Sequence, residues 1–140
     1  MKKYLNWALV YALLGLAAGV YYRELTRMSG FTGRTVLSVI HPHAIMLGMF
    51  LFLLLALFSR FLDFEKLTTY KWFKWTYVWT GLPLMLITIC VRGTLQVLET
   101  QLSPALNASI AGIAGISHML VAAGLILLIL SLKKAAEKNA

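Results

Sequence analysis

The stretch His41–Phe58 has the sequence HPHAIMLGMFLFLLLALF, in which two histidines separated by a proline precede a long apolar run. On a regular helix, residues two apart point about 200° from each other, because each residue turns the chain by about 100°. The two imidazoles therefore face two different neighbours, or two different cofactors. They cannot easily ligate a single metal ion from a straight helix.

Four apolar runs, each without Asp, Glu, Lys or Arg, account for most of the 140 residues. Runs of about 18 or more such residues are typical of membrane-spanning helices. The composition, 60% hydrophobic and 13% charged, agrees with this class of protein. The sequence predicts an all-α integral membrane protein, a four-helix bundle or arc that forms one domain over residues 1–140, with helices at about 5–22, 36–58, 75–91 and 108–132.

The basic residues are divided unevenly between the two sides of the predicted bundle. Nine of the 13 lie in the N-terminus, the loop from Arg60 to Lys74 and the C-terminal tail, and the other four are Arg23, Arg27, Arg34 and Arg92. Lys and Arg flanking membrane helices explain the net charge of +8 without a nucleic-acid partner. The positive-inside rule predicts that both termini lie in the cytoplasm and the His41 end of the second helix lies outside. We expect the membrane to be a bacterial inner membrane.

Every basic residue on the predicted outer side is an arginine. The planar guanidinium group suits carboxylates and phosphates, which it can bind through two parallel hydrogen bonds. We expect Arg23, Arg34 and Arg92 to meet the carboxylates of a bound cofactor, with lipid phosphate as the alternative. Lipid phosphate is the expected partner of Arg27.

The sequence leaves the start of the second helix open. Proline is favoured at the first position of a helix, so the helix could begin at Pro42 with His41 as its cap. If it begins near Val36 instead, Pro42 cannot donate a hydrogen bond to the Ser38 carbonyl and should bend the helix. In both cases His43 faces the other helices.

The third histidine, His118, lies in the fourth predicted helix. It shares a face with small residues that would let a neighbour approach the imidazole closely, namely Ala111, Gly115 and Ala122. His118 and His43 lie at comparable depths, about ten and about seven residues from the outer ends of their helices. In the first helix, Gly15 and Gly19 form a GxxxG pattern that predicts close helix packing without a ligand.

A histidine inside a membrane span marks a candidate functional site, because its ring must find a partner there. Zinc and copper need three or four converging ligands, and the spans offer three histidines and Cys90. Haem needs one or two axial imidazoles and an apolar slot, which five residues could form: Gly48, Phe50, Phe52, Gly112 and Gly115. Without a Cys-x-x-Cys-His motif the haem would be non-covalent haem b. The alternative is a neutral imidazole that only hydrogen-bonds to its surroundings.

The run from His41 to Phe58, preceded by a glycine-containing helix that ends in Tyr22-Arg23, resembles the first two helices of haem–copper oxidase subunit I. The resemblance covers about half of the chain. In that family helix II opens with a haem-ligating histidine, and a later helix carries a His-x-His whose histidines serve two haems. The resemblance implies that His41 and His43 are haem ligands, and it says nothing about His118. As a whole the chain resembles small uncharacterised bacterial four-helix membrane proteins.

The catalytic subunit of that oxidase family has twelve helices arranged as three four-helix arcs, with ligands on the second helix of each arc. The resemblance therefore implies a homotrimer in which each haem lies between His41 of one copy and His43 of the next. The competing arrangement holds a haem within one chain, between His43 and His118. Irons with two imidazole ligands are closed to oxygen, which favours electron transfer with an unidentified redox partner, or haem handling, over gas reduction.

Two other functions remain as alternatives. A haem-free scaffold or assembly protein would use its histidines only for hydrogen bonds between helices. A small-molecule transporter is less favoured, because four-helix exporters depend on a membrane-embedded carboxylate and the four runs contain none. The same lack of charged side chains in the runs argues against proton pumping.

Overall fold

A computed structural model describes residues 1–139, and this part of the chain is entirely helical apart from its loops. It contains four long helices, α1 over Lys2–Met28, α2 over Val36–Phe58, α3 over Thr68–Val97 and α4 over Pro104–Asn139. Each is long and apolar enough to cross a membrane. The predicted all-α fold with four long apolar helices is confirmed.

Three of the helices extend beyond the apolar runs that predicted them. α1 continues to Met28, and α3 begins at Thr68, seven residues before its predicted start at 75. Helical hydrogen bonding does not stop where side chains become charged or aromatic, so hydropathy locates the apolar span and not the whole helix. α4 begins at Pro104, a residue type favoured at the first helical position, after Ser103, whose Oγ accepts from the Leu106 amide at 3.3 Å.

α2 changes its hydrogen-bonding pattern three times along its length. It consists of a 3-10 turn, an α-helical turn, a π-helix and an α-helix over Val36–Val39, Ile40–His43, Ala44–Phe50 and Leu51–Phe58. The helix therefore begins near Val36, and Pro42 lies inside it. Because Pro42 cannot donate to the Ser38 carbonyl, the change of helix type on either side accommodates the proline. A second π-helix, Lys74–Gly81, precedes Pro83 in α3.

The four helices form an open arc. α1 packs along α2, α2 meets α3 mainly at the Val36–Val39 turn, and α3 packs along α4. Within residues 1–139, α4 contacts neither α1 nor α2. One seam of α4 is consequently buried, at intervals of three or four residues, and it comprises Ser117, Val121, Gly124, Leu128, Ser131 and Ala135.

Polar contacts join the helices at the end of the arc that holds the start of α1. The Tyr4 hydroxyl donates to a Glu65 carboxylate oxygen at 2.7 Å and lies 2.6 Å from the Tyr70 hydroxyl. The Ser131 hydroxyl donates to Thr69 Oγ1 at 2.7 Å. The start of α1, the loop between α2 and α3 and the last turns of α4 therefore lie at the same end of the molecule.

Glycines allow the closest approaches between helices. A Cβ placed on Gly48 of α2 would lie 2.3 Å from Tyr11 Cγ of α1, and one on Gly93 of α3 would lie 2.5 Å from the Leu37 amide nitrogen of α2. Gly15 of α1 likewise faces α2, where an added Cβ would come within 2.8 Å of an Ile45 side-chain carbon. Larger residues at these positions would push α1 and α3 away from α2.

Candidate functional site

Hydrogen bonds to α3 fix the start of α2 and thereby position its histidines. Thr35, the N-cap residue, accepts from the Leu37 amide at 3.1 Å and donates to the Gly93 carbonyl at 2.9 Å. The Val36 amide donates to Gln96 Oε1 at 2.8 Å. The buried Thr35 side chain thus caps α2 and docks it on α3.

His41 and His43 occupy different sides of α2, as their spacing requires. His41 is exposed and borders α1, where a Cβ on Gly19 would lie 3.7 Å from His41 Cβ. His43 is half-buried, and its Nδ1 lies 2.7 Å from the Val39 carbonyl oxygen. The two rings therefore have different surroundings, although only one residue separates them.

His118 of α4 has the same local arrangement as His43. Its Nδ1 lies 2.8 Å from the Ala114 carbonyl oxygen, four residues earlier. Because a carbonyl oxygen only accepts, Nδ1 is the donor in both rings, and the Nε2 of a neutral imidazole then keeps its lone pair. Neither Nε2 has a hydrogen-bond partner in the described part of the chain. Metal-ligating histidines commonly have this tautomer and this second hydrogen bond.

A single chain does not bring His118 into contact with the histidines of α2. α2 and α4 have no contact within residues 1–139, and Tyr77 of α3 packs against both helices. His118 is exposed, and nothing lies within 4 Å of a Cβ placed on Gly112 or Gly115. The small-residue face around His118 is therefore open.

The residues expected to form a haem slot do not form one together. Gly48 is covered by the ring of Tyr11, and Phe52 is buried against the same ring at a centroid distance of 5.6 Å. Phe50 is exposed. The expectation for Gly48 was wrong, because a ring from another helix already fills the space above the glycine.

Residues 1–139 contain no group of three or more His, Cys, Asp or Glu placed to hold a metal ion. Cys90 is free and half-buried in α3. The described part of one chain therefore does not assemble the three or four ligands that zinc and copper sites use. Axial ligation of haem needs only one or two imidazoles, so this result does not bear on it.

The three arginines expected at the site have different surroundings. Arg23 forms an exposed ion pair with Glu24 at 2.9 Å. Arg34 lines an open cavity of about 500 Å³ together with Val39, whose carbonyl accepts the His43 hydrogen bond. Arg92 lines a second cavity of about 380 Å³. Within residues 1–139 neither Arg34 nor Arg92 has an ion pair.

Sequence reasoning missed the residues that position the histidines. Thr35 precedes a helical run, which is an N-cap signature that could have identified it. Gln96 gives no such signal, because its contact with Val36 joins residues 60 positions apart. The π-helical turn after His43 also has no sequence signature, although such turns are frequent at functional sites.

The arc consists of four helices that are long and apolar enough to span a membrane, with imidazoles on two of them, which suggests a multi-pass membrane protein. The chain belongs to DUF2871, a family described as "Protein of unknown function", whose family model matches residues 1–135. No curated protein and no solved structure matches the chain. The resemblance to small uncharacterised membrane proteins agrees with this family, whereas the resemblance to haem–copper oxidases stays a prediction.

Proposed function

We propose that this chain is a membrane-embedded b-type haem protein that transfers electrons or handles haem. The observation that carries the proposal is the orientation of His43 and His118. Each ring donates from Nδ1 to its own helix and keeps Nε2 free. An unpaired polar group in an apolar surrounding costs free energy, and coordination to a haem iron would remove that cost. A bis-imidazole iron would exchange single electrons with a redox partner.

The proposed setting is a bacterial inner membrane, with both termini in the cytoplasm. The start of α1, the loop between α2 and α3 and the last turns of α4 lie at one end of the arc. These three segments and the first turns of α3 carry nine of the 13 basic residues, and cytoplasmic segments are enriched in Lys and Arg. In this setting the apolar helices would be in contact with membrane lipid.

The proposed assembly is a homotrimer in which His41 of one copy and His43 of the next bind the same haem. Support comes from the open arc and from the exposure of His41, which lies on a different side of α2 from His43. One α2 helix cannot present both rings to a single iron. Arg34 and Arg92, without ion pairs in residues 1–139, would meet the haem propionates. Arg23 already has Glu24 as a partner and would contribute less.

The competing arrangement binds haem within one chain through His43 and His118. α3 contacts Leu37 of α2 at one point along its length and Val121 of α4 at another. The separation of these two contacts along α3 gives the heights of α2 and α4 relative to each other. Counting from them at 1.5 Å per residue puts the two imidazoles within about 5 Å of the same depth. A haem between α2 and α4 would also need those helices to lie apart, as they do.

A haem-free scaffold protein is the second candidate function. The bonds from His43 and His118 to their own helices already give each ring one partner. In that role the free Nε2 atoms would accept hydrogen bonds from a neighbouring protein. The histidines would then serve assembly and not redox chemistry.

The test is an oxidised-minus-reduced visible spectrum of the detergent-purified protein, with a pyridine haemochrome assay for stoichiometry. We expect a sharp reduced α-band and one haem per chain. A colourless preparation that also fails to bind added haemin would contradict the haem proposal and favour the scaffold.

Three substitutions distinguish the two haem arrangements. In the trimer, His41→Ala and His43→Ala lose haem and His118→Ala keeps it at full occupancy. In the intramolecular arrangement His43→Ala and His118→Ala lose haem and His41→Ala keeps it. Each variant serves as the control for the others, provided that all three elute like the wild type from a size-exclusion column.

A further inference from the structure

An apolar slot of about 550 Å³ separates α1 from α3, with α2 as its floor. At one end the rings of Trp7 and Trp79 meet edge-on at 5.8 Å. At the other end the Tyr21 hydroxyl lies 2.9 Å from Thr94 Oγ1. The slot is therefore closed at both ends, and it opens sideways where the apolar residues that line it are exposed.

The slot has the length of a membrane-soluble molecule. Trp7 and Tyr21 are 14 residues apart in α1. This separation corresponds to about 21 Å of helix, which is less than the hydrocarbon thickness of a bilayer, about 30 Å. The opening would consequently face lipid tails and not water.

Two hydroxyl groups belong to residues that line this mainly apolar slot, and only that of Tyr11 lacks a hydrogen-bond partner within residues 1–139, since that of Tyr21 is paired with Thr94. Tyr11 is 3% exposed, and its ring is held between Gly48 and Phe52 of α2. The hydroxyl makes no hydrogen bond within residues 1–139, its oxygen is not fully buried, and Tyr11 is one of the residues that line the slot. A hydroxyl in an apolar surrounding needs an acceptor, so the slot is suited to a ligand that carries one.

We propose that the slot binds an isoprenoid quinone, with a ring carbonyl accepting a hydrogen bond from Tyr11. The Tyr11 ring packs on Gly48, near the middle of α2. A phospholipid does not supply an acceptor at that depth, because its ester and phosphate oxygens stay at the membrane surface. A quinone can bring a carbonyl group there. Its isoprenoid tail would lie along the slot toward Tyr21.

Aromatic side chains complete the match to a quinone ring. Trp7 lines the slot beside Tyr11, with ring centroids 6.2 Å apart, and the two aromatic side chains give a quinone ring apolar surface to pack against. Small residues, among them Ala17 and Ala44, leave room for the ligand. This proposal concerns binding only, and it does not rest on the haem.

The test is a titration of the detergent-purified protein with a decyl-chain benzoquinone, followed by quenching of Trp fluorescence. Tyr11→Phe removes only the hydroxyl, and Ala17→Phe fills the slot. Ala123→Phe makes the same change at an exposed position of α4, away from the slot, and is the matched control. Because Trp7 lines the slot, the quenching that is lost in Trp7→Phe is the part of the fluorescence signal that comes from the slot.

We expect saturable quenching with one quinone per chain, a dissociation constant raised about 3- to 10-fold in Tyr11→Phe, and no saturable binding in Ala17→Phe. Ala123→Phe should bind like the wild type. Quenching that never saturates, or that saturates equally in Ala17→Phe, would overturn the proposal. Mass spectrometry of the co-purified lipids adds a second readout. A phospholipid lost only from Ala17→Phe, without saturable quinone binding, would show that the slot holds an acyl chain instead.

Discussion

The phenolic oxygen of Tyr77 lies 2.8 Å from the carbonyl oxygen of Leu47, and this bond joins the two π-helical segments of the protein. A π-helix leaves backbone groups of the normal α-helical pattern in need of other partners. In the apolar layer of a membrane, only the protein can supply them. The Tyr77 hydroxyl therefore stabilises the irregular part of α2 that follows the histidines.

Replacing Tyr77 with Phe should lower the free energy of unfolding by about 1–3 kcal/mol, because the half-buried Leu47 carbonyl loses its side-chain donor. Thermal unfolding followed by circular dichroism in detergent measures the effect. Tyr11→Phe is the matched control, since the Tyr11 hydroxyl has no hydrogen bond within residues 1–139. Equal melting temperatures for the two variants would contradict this role of Tyr77.

Replacing Gly48 with Ala should destabilise the α1–α2 interface. The new Cβ would lie 2.3 Å from Tyr11 Cγ, so the ring or the whole of α1 must move. Overpacking of this kind typically costs about 1–3 kcal/mol. Gly112→Ala is the control, because nothing lies within 4 Å of its new Cβ. The melting temperature should fall in the first variant only, and a fall in both would show that space at Gly48 is not the cause.

Replacing Thr35 with Ala should loosen the start of α2. The change removes the cap of the Leu37 amide and the hydrogen bond to the Gly93 carbonyl, with an expected loss of about 1–2 kcal/mol. Hydrogen exchange at the Leu37 amide should become faster in Thr35→Ala. In Thr35→Ser both bonds should remain, and exchange should stay as slow as in the wild type. Thr32→Ala, at an exposed position of the same loop, should change nothing. Unaltered exchange in Thr35→Ala would refute this prediction.

The stability of the protein should fall in acid because of Glu65. Burial alone would raise the pKa of this carboxyl group, but hydrogen bonds from Lys3 and Tyr4 outweigh burial and hold the pKa below its ordinary value of 4.5. Because the pKa is lower in the folded chain, the stabilisation is complete above the unfolded pKa. It is lost as the pH falls through the folded value.

The measurement for Glu65 is the melting temperature between neutral pH and pH 3. Glu65→Gln should lose part of the acid-dependent decrease that the wild type shows below about pH 4.5. Asp63→Asn is the control, since the Asp63–Lys66 pair is exposed and contributes little to stability. If Glu65→Gln kept the full acid sensitivity, another group would be responsible.

Sequence patterns located the helices because the apolar runs contain no charged residue. The same patterns placed the start of α3 too late, since its first turns mix the exposed Lys71 and Trp72 with the buried Tyr70 and Phe73. Hydropathy averages over such a window and does not separate its two faces. The buried positions there are defined only by the helices that pack against them.

The candidate site was predictable in its residues but not in its geometry. His41, His43 and His118 stand out as the only histidines, all in apolar runs. The bonds from Nδ1 to the carbonyl groups of Val39 and Ala114 depend on side-chain rotamers, which the sequence does not specify. Haem, the homotrimer and the relation to haem–copper oxidases stay predictions that the spectrum and the three histidine variants test.

The single seam between α3 and α4 has a consequence for biogenesis. α4 is synthesised after the other three helices, when the bonds of Tyr4 to Glu65 and of Thr35 to Gly93 can already join α1, α2 and α3. Docking α4 disturbs none of these bonds, because α4 contacts only α3 within residues 1–139. Membrane helices can insert first and associate afterwards by lateral diffusion. In a membrane, assembly of the chain would thus separate into insertion of a three-helix unit and the later docking of one more helix.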